Sequence, residues 1–191
     1  MRTRMNGAMV AGLGALLLAG CGGGKNGGEN GAGDSRAGNG AAVAASGWDA
    51  SDACALLDKA AVGAALGDGV TETSLAFVNK AEGANAATSE CTYRLAGGST
   101  ATLMARLSPI GDNSDAAIKQ TRETTEKTMA AFSDKKIEDV PGLGKAAFFV
   151  PGINQLNVFL DDSRFVILTI GSAPNATAKD TAVGLMGKMK R

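Results

Sequence analysis

The sequence predicts an α+β fold, an antiparallel sheet with helices packed on one face. Three observations point to it. Helical patterns open, divide and close the region from Trp48 onward, and runs of alternating apolar residues lie between them. The strand runs are joined by turn signals, such as Ala96-Gly97-Gly98-Ser99 and Asp161-Asp162-Ser163, that are too short for crossovers. The order is helix, two or three strands, helix, three or four strands, helix, which segregates helices onto an antiparallel sheet. The two helix-then-strands blocks have the order of a duplicated unit, although no matching residues establish one.

Ala53 to Leu66 is helical in pattern, with Asp58 placed to restart the helix as an N-cap and Gly67 to close it. Residues 71 to 79 form a strand with Leu75 and Phe77 on one face. Cys91, Tyr93 and Leu95 alternate, as do Ala101, Leu103, Ala105 and Leu107 across the hairpin. Asp112, Ser114 and Asp115 offer caps for a long helix to about Phe132. Its stripe of Ile118, Arg122, Thr125, Met129 and Phe132 is only partly apolar, so this helix lies on the surface of a sheet. Lys136 to Val140 reads as a strand, and Pro141-Gly142-Leu143-Gly144 as a turn. Ala146 to Val150, Gln155 to Leu160 and Arg164 to Ile170 are strands. The last is apolar on both faces and therefore central. A closing helix runs from about Asn175 to Lys190.

The chain divides into three regions. Residues 1–20 carry Arg2 and Arg4, an apolar stretch from Ala8 to Ala19 and a small-residue cut site, the layout of a secretory signal. The stretch is too short to span a membrane. Leu18-Ala19-Gly20-Cys21 resembles the bacterial lipobox, which implies cleavage after Gly20 and lipid, with its palmitate-class acyl chains, on Cys21. Two or more acyl chains anchor durably. Gly22, where Asp favours inner-membrane retention, leans towards the outer membrane of a Gram-negative host. Residues 21–47 make the lipidated cysteine and its tether. Positions 22 to 47 hold ten glycines and no aromatic residue, too little apolar surface to offset chain entropy. A Gly-rich coil of this length has an r.m.s. span of roughly 28 Å. Its GGG and GG runs lack the strand, helix and Lys-Ser/Thr of a phosphate-binding loop.

Residues 48–191 form one domain of ordinary size, able to bury roughly two-thirds of its unfolded surface. The whole chain has 19 basic and 19 acidic residues; losing two arginines with the signal leaves −2. Nothing in that balance suggests nucleic acid. With Cys21 lipidated, Cys54 and Cys91 remain as a pair in an oxidising compartment, which favours a disulfide. Two buried thiols or a redox pair are the rival readings, though a redox pair usually shows Cys-x-x-Cys.

Asp52-Ala53-Cys54-Ala55-Leu56-Leu57-Asp58, Val62, Leu66-Gly67, Cys91-Thr92-Tyr93 and Val140-Pro141-Gly142-Leu143-Gly144-Lys145-Ala146-Ala147 together resemble a group of small secreted bacterial lipoproteins of undefined function. The similarity covers most of residues 52 to 171. It implies a cap, a disulfide and a turn, and no activity. Asp58 stands where the group often has Thr or Ser.

The chain has no histidine, which removes Ser-His-Asp and Cys-His nucleophiles and His-ligated zinc. Ser133-Asp134-Lys135-Lys136 matches Ser-x-x-Lys, but the partner elements of penicillin-binding enzymes are missing. Asp161-Asp162 and Asp112-x-x-Asp115 lack the alternating acidic loop and distal Glu of a calcium site; turn and cap duty accounts for them. Glu123 and Glu126 are expected to face water beside Lys119 and Lys127. Lys188, Lys190 and Arg191 suit a helix C-terminus, with anionic headgroups as the rival partner. Phe148 and Phe149 point to opposite faces of a strand, one into the core and the other towards a groove or partner. Asn175-Ala176-Thr177 has the form of a glycosylation acceptor, discounted in a bacterium. The expectation is therefore a lipid-anchored protein of the cell envelope that is not an enzyme. It needs no cofactor or metal and works as a protein-interaction module, or else carries a small ligand between sheet and helices.

Overall fold

The computed structural model describes residues 48–190. The signal segment, Cys21, the tether and Arg191 lie outside the described residues. Within them, two aspartates divide the first helical segment. The Asp52 carboxylate accepts from the Ala55 N–H at 3.1 Å and starts a single turn, α1 (Ala53–Leu56). The Asp58 carboxylate accepts from the N–H groups of Ala60 and Ala61 and starts α2 (Lys59–Leu66). At Gly67, φ is 68°, the left-handed cap that a β-carbon disfavours.

Seven strands follow: β1 (Val70–Asn79), β2 (Ala87–Leu95), β3 (Thr100–Leu107), β4 (Glu138–Asp139), β5 (Ala146–Val150), β6 (Gln155–Phe159) and β7 (Arg164–Thr169). α3 (Asp115–Ala130) separates β3 from β4, and α4 (Ala178–Met186) closes the chain. The strand order is β1-β2-β3-β7-β6-β5-β4, and every neighbouring pair is antiparallel. The chain is thus an α+β protein, with its last strand, β7, at the centre.

One face of the sheet presents Cys91, Tyr93, Leu103, Ala105, Val166, Leu168, Leu156, Val158 and Phe149. These pack against Leu56, Leu57 and Val62 of the first helical segment and Ala178, Ala182, Leu185 and Met186 of α4. The disulfide Cys54–Cys91, with 4.9 Å between Cα atoms, joins α1 to β2. The Tyr93 hydroxyl donates to the Leu57 carbonyl at 2.8 Å, and the Lys190 N–H donates to the Leu56 carbonyl at 2.9 Å.

The helices do not share one face. Ile118 and Met129 of α3 pack on the opposite side, over Phe148, Val150, Phe159 and Phe165. Ala146, Phe148, Val150, Phe159, Phe165 and Ile167 make much of the second face of β5–β7 apolar as well, so one layer of helices cannot cover it. Phe148 and Phe149 are consequently both buried, and neither lines a surface groove. Three further expectations need correction. The strand expected over Lys136–Val140 is only Glu138–Asp139, although Ile137 still packs beneath α3. The closing helix starts three residues later than expected and ends at Met186. Leu75 and Phe77 do not line a covered face: Phe77 is 76% exposed, with φ at 51°, and the β1–β2 register shifts between Ala76 and Asn79.

Pro141-Gly142-Leu143-Gly144 is a turn. Gly144 has φ of 68°, and a β-carbon there would meet the Phe159 carbonyl oxygen at 2.5 Å, so only glycine fits.

Candidate functional site

Because α3 covers only the β5–β7 half of its face, the β1–β3 half carries no helix among the described residues. Its side chains follow directly from the ladder, since directly paired residues share a face. Ser74 pairs with Thr92, Thr92 with Thr102, Thr102 with Thr169, and Thr169 with Gln155. Four hydroxyls and an amide thus form one transverse row across five strands, roughly 19 Å long at the usual strand spacing. Ser74 is exposed and the others are half-buried. Gln155 Nε2 donates to Thr169 Oγ1 at 3.3 Å and orders the inner end. Beside the row, Glu72 and Arg94 form an exposed ion pair at 3.4 Å, and Glu90 faces Met104. This surface offers donors and acceptors of both kinds and little net charge.

The sheet end bearing the β3–α3 and β6–β7 connections is cross-linked by charge. Arg106 donates both guanidinium nitrogens to Asp112. Lys145 Nζ donates to Asp162 at 2.7 Å, contacts Asp115 at 3.2 Å and donates to the Asn113 carbonyl at 2.9 Å. Asp161 accepts from the N–H groups of Ser163 and Arg164 and from Arg164 Nε. The Arg106 hydrogen bond holds the Asp112 carboxyl below its usual range. Burial would raise Asp161, but the two backbone N–H groups and the guanidinium outweigh it, and the carboxyl is lowered. Hydrogen bonds to Asp162 and then Asp115 raise Lys145. The aspartates singled out in the sequence as calcium candidates therefore have protein cations and N–H groups as partners. No group of three or more His, Cys, Asp or Glu side chains converges as a metal site among the described residues.

The other named residues are scattered. Glu123 pairs with Lys119 at 3.8 Å, and Glu126 with Arg122 rather than with Lys127. Ser133 Oγ accepts from the Lys135 N–H, a turn contact with no base beside it. Thr177 is the N-cap position of α4. Tyr93 is buried, and burial followed by the charges of Asp58 and Asp52 pushes its hydroxyl far up, keeping it a hydrogen-bond donor. Cys54 is half-buried beside a cleft of about 330 Å³ lined by Asp58, Lys59, Thr73 and Lys190. An open groove of about 710 Å³ follows the β1–β2 turn, lined by Val78, Asn79, Lys80, Glu82, Asn85 and Thr88.

Sequence reasoning missed the hydroxyl row and the exposure of Phe77. The signal for the row was present: Thr88, Glu90, Thr92 and Arg94 are polar at every second place in β2, the mark of a solvated face. No local signal marks Phe77. Among the described residues no helix is long and apolar enough to cross a membrane. Comparison with protein-family models, with curated proteins and with solved structures returns no match.

Proposed function

We propose that this chain is a lipid-anchored protein of the bacterial envelope, held through Cys21, that works as a non-enzymatic interaction module. The observation that carries the reading is the bare half of the sheet. The face of the seven-stranded sheet that α3 covers over Phe148, Val150, Phe159 and Phe165 is left open at β1–β3, where it presents Ser74, Thr92 and Thr102 of a row that runs on to Thr169 of β7 and Gln155 of β6. Polar, hydroxyl-bearing surfaces of this size suit transient protein recognition, which is no more apolar than the rest of a protein surface. The Leu-Ala-Gly-Cys run supports the anchor, and the Cys54–Cys91 disulfide accords with an oxidising compartment.

Site-specific photo-crosslinking in the producing cell tests the docking face. Probes replacing Thr92 or Thr102 are expected to capture one shared protein, and a probe at Glu123 on α3 is expected to miss it. Capture from Glu123 alone would remove the reading. Intact mass measurement of membrane-extracted protein tests the anchor: a chain starting at Cys21 with a diacylglyceryl addition is expected. The carrier alternative rests on the cleft beside Cys54, and a small molecule released from that protein on denaturation would favour it.

A further inference from the structure

The two faces of the sheet are covered by very different helices. α4 buries Ala178, Ala182, Leu185 and Met186. α3 is longer, at 16 residues, and buries none of its own side chains. Phe148, Val150, Phe159 and Phe165 beneath it are nevertheless all buried. The inner side of α3 explains the difference. It carries Ile118, Thr121, Arg122, Thr125 and Met129, all half-buried, and only Ile118 and Met129 join the apolar cluster. The hydroxyls of Thr121 and Thr125 donate to the Ala117 and Thr121 carbonyls of α3 itself, at 2.9 and 2.8 Å, and give the sheet nothing.

α3 is also weakly helical by composition. Thr121, Thr124, Thr125 and Thr128 are β-branched and poor helix formers. A helix of this length is marginal in water unless packing supports it. Among the described residues two ion pairs tie it to the rest of the domain, Arg122 with Asp139 at 2.9 Å and Asp115 with Lys145 at 3.2 Å. Their carboxylates are 73% and 93% exposed, so both contacts are weak and screened by salt. Firm points bracket the segment. Asn113 is buried, and its amide donates to the Asp161 and Arg164 carbonyls. Ile137 is buried next to β4. Residues 114–136 between them contain no buried side chain.

The surface beneath is ordered without α3. Phe159 pairs directly with Phe165 across β6 and β7, and their rings stack at 4.4 Å. On the same face, the row Met104–Ile167–Asn157–Phe148 runs beside the hydroxyl row. Asn157, buried in it, donates to Gln155 Oε1 at 3.3 Å. We propose that α3 is a hinged cover, latched by its two ion pairs. Residues 114–136 leave the sheet as one unit while all seven strands stay paired, and the bare face of β1–β3 then continues across β7, β6 and β5. The enlargement of the docking face rests on the reading of β1–β3 as that face; the opening does not. Local opening takes the element with the fewest buried apolar contacts. Closed, the face is polar. Open, it adds an aromatic and aliphatic strip beside the hydroxyls, the make-up of an interface core with a polar rim. A partner touching both shifts the balance by as much as it prefers the open form.

Hydrogen exchange of the full mature protein, purified from the producing cell and read peptide by peptide, tests the opening. Amides of residues 118–130 are expected to exchange at least about a hundredfold faster than those of α4 and β7. Exchange of α3 in step with α4 and β7 overturns the cover, because α3 would then leave only when the whole domain unfolds. Exchange of β5–β7 together with α3, ahead of α4, overturns it too. Asp139→Asn leaves the sequence of α3 intact and is expected to speed its exchange by about threefold, with α4 unchanged; a parental rate overturns the latch. Photo-reactive probes at Thr102 and, under the cover, at Ile167 test the enlargement. Capture of one partner from both positions is expected. Capture from Thr102 alone, with fast exchange in α3, overturns the enlargement and leaves the opening standing. Capture from neither removes the docking face itself, and the enlargement with it.

Discussion

At one edge of the sheet β4 contributes two residues, and both are tied down; at the other β1 contributes ten, and almost none is covered. Glu138 accepts from Lys179 of α4 at 2.6 Å, and Asp139 accepts from Arg122 of α3 at 2.9 Å, so one cation clamps β4 from each face of the sheet. Short length and charge are the ordinary means of keeping an edge from pairing with another chain. β1 has neither protection along most of its length. Its only ion pair among the described residues, Glu72 with Arg94, is solvent-exposed on both sides. The contrast shows that protecting an edge was within reach of this fold and was applied on one side only. The open side is the one that joins the bare polar face and the Phe77 corner.

The largest way to break the contrast is to remove the staple on the open side. Replacing Cys54 and Cys91 by alanine is expected to cost about 4 kcal/mol on chain-entropy grounds for a separation of 37 residues, read from urea denaturation midpoints. Hydrogen exchange should then rise in β1 and β2 ahead of β5–β7. Uniform acceleration across all strands would contradict the division into a stapled half and a doubly covered half.

A smaller change sharpens it. Phe77→Gly removes a β-carbon from a left-handed residue and is expected to stabilise the domain by about 1 kcal/mol, measured by the same denaturation, while deleting the exposed ring. A loss of stability would mean that Phe77 packs in solution. At the protected edge, Arg122→Ala with Lys179→Ala should change stability little, as exposed ion pairs do. The informative readout there is light scattering, where freeing β4 is expected to increase self-association.

The smallest effect concerns acid. Asp112 has a lower pKa in the folded chain than in the unfolded one, because of Arg106. Its contribution to stability is therefore complete above the ordinary aspartate value of about 4 and is lost as pH falls through the lowered value. Asp112→Asn is expected to flatten the acid side of the stability profile and to leave the slope between pH 6 and 9 unchanged.

Much of the fold was legible in sequence because its signals are local. Asp58 caps a helix, Gly67 and Gly144 stand where only a residue without a β-carbon fits well, and β7 is apolar on both faces from Phe165 to Leu168. What was illegible depends on neighbours. Alternation says that Phe148 and Phe149 face opposite ways, but not that α3 crosses over to cover the second face. Leu75 and Phe77 are two apart, and only the bulge against β2 puts them out of step. The hydroxyl row draws its members from five strands, so no single segment displays it. The acidic runs looked like cation sites until Arg106 and Lys145, distant in sequence, supplied the charge.

The central position of β7 has a consequence for the order in which the chain can finish itself. Delivered N-terminus first, β1–β3 and β4–β6 can each pair as hairpins, but every such piece ends in an unpaired inner strand, β3 or β6. Both wait for the same six residues, Arg164–Thr169, near the end of the chain. Late long-range pairing of this kind slows folding. A product cut short before Arg164 would carry two raw strand edges in place of one continuous sheet, and quality-control proteases should read that difference at once.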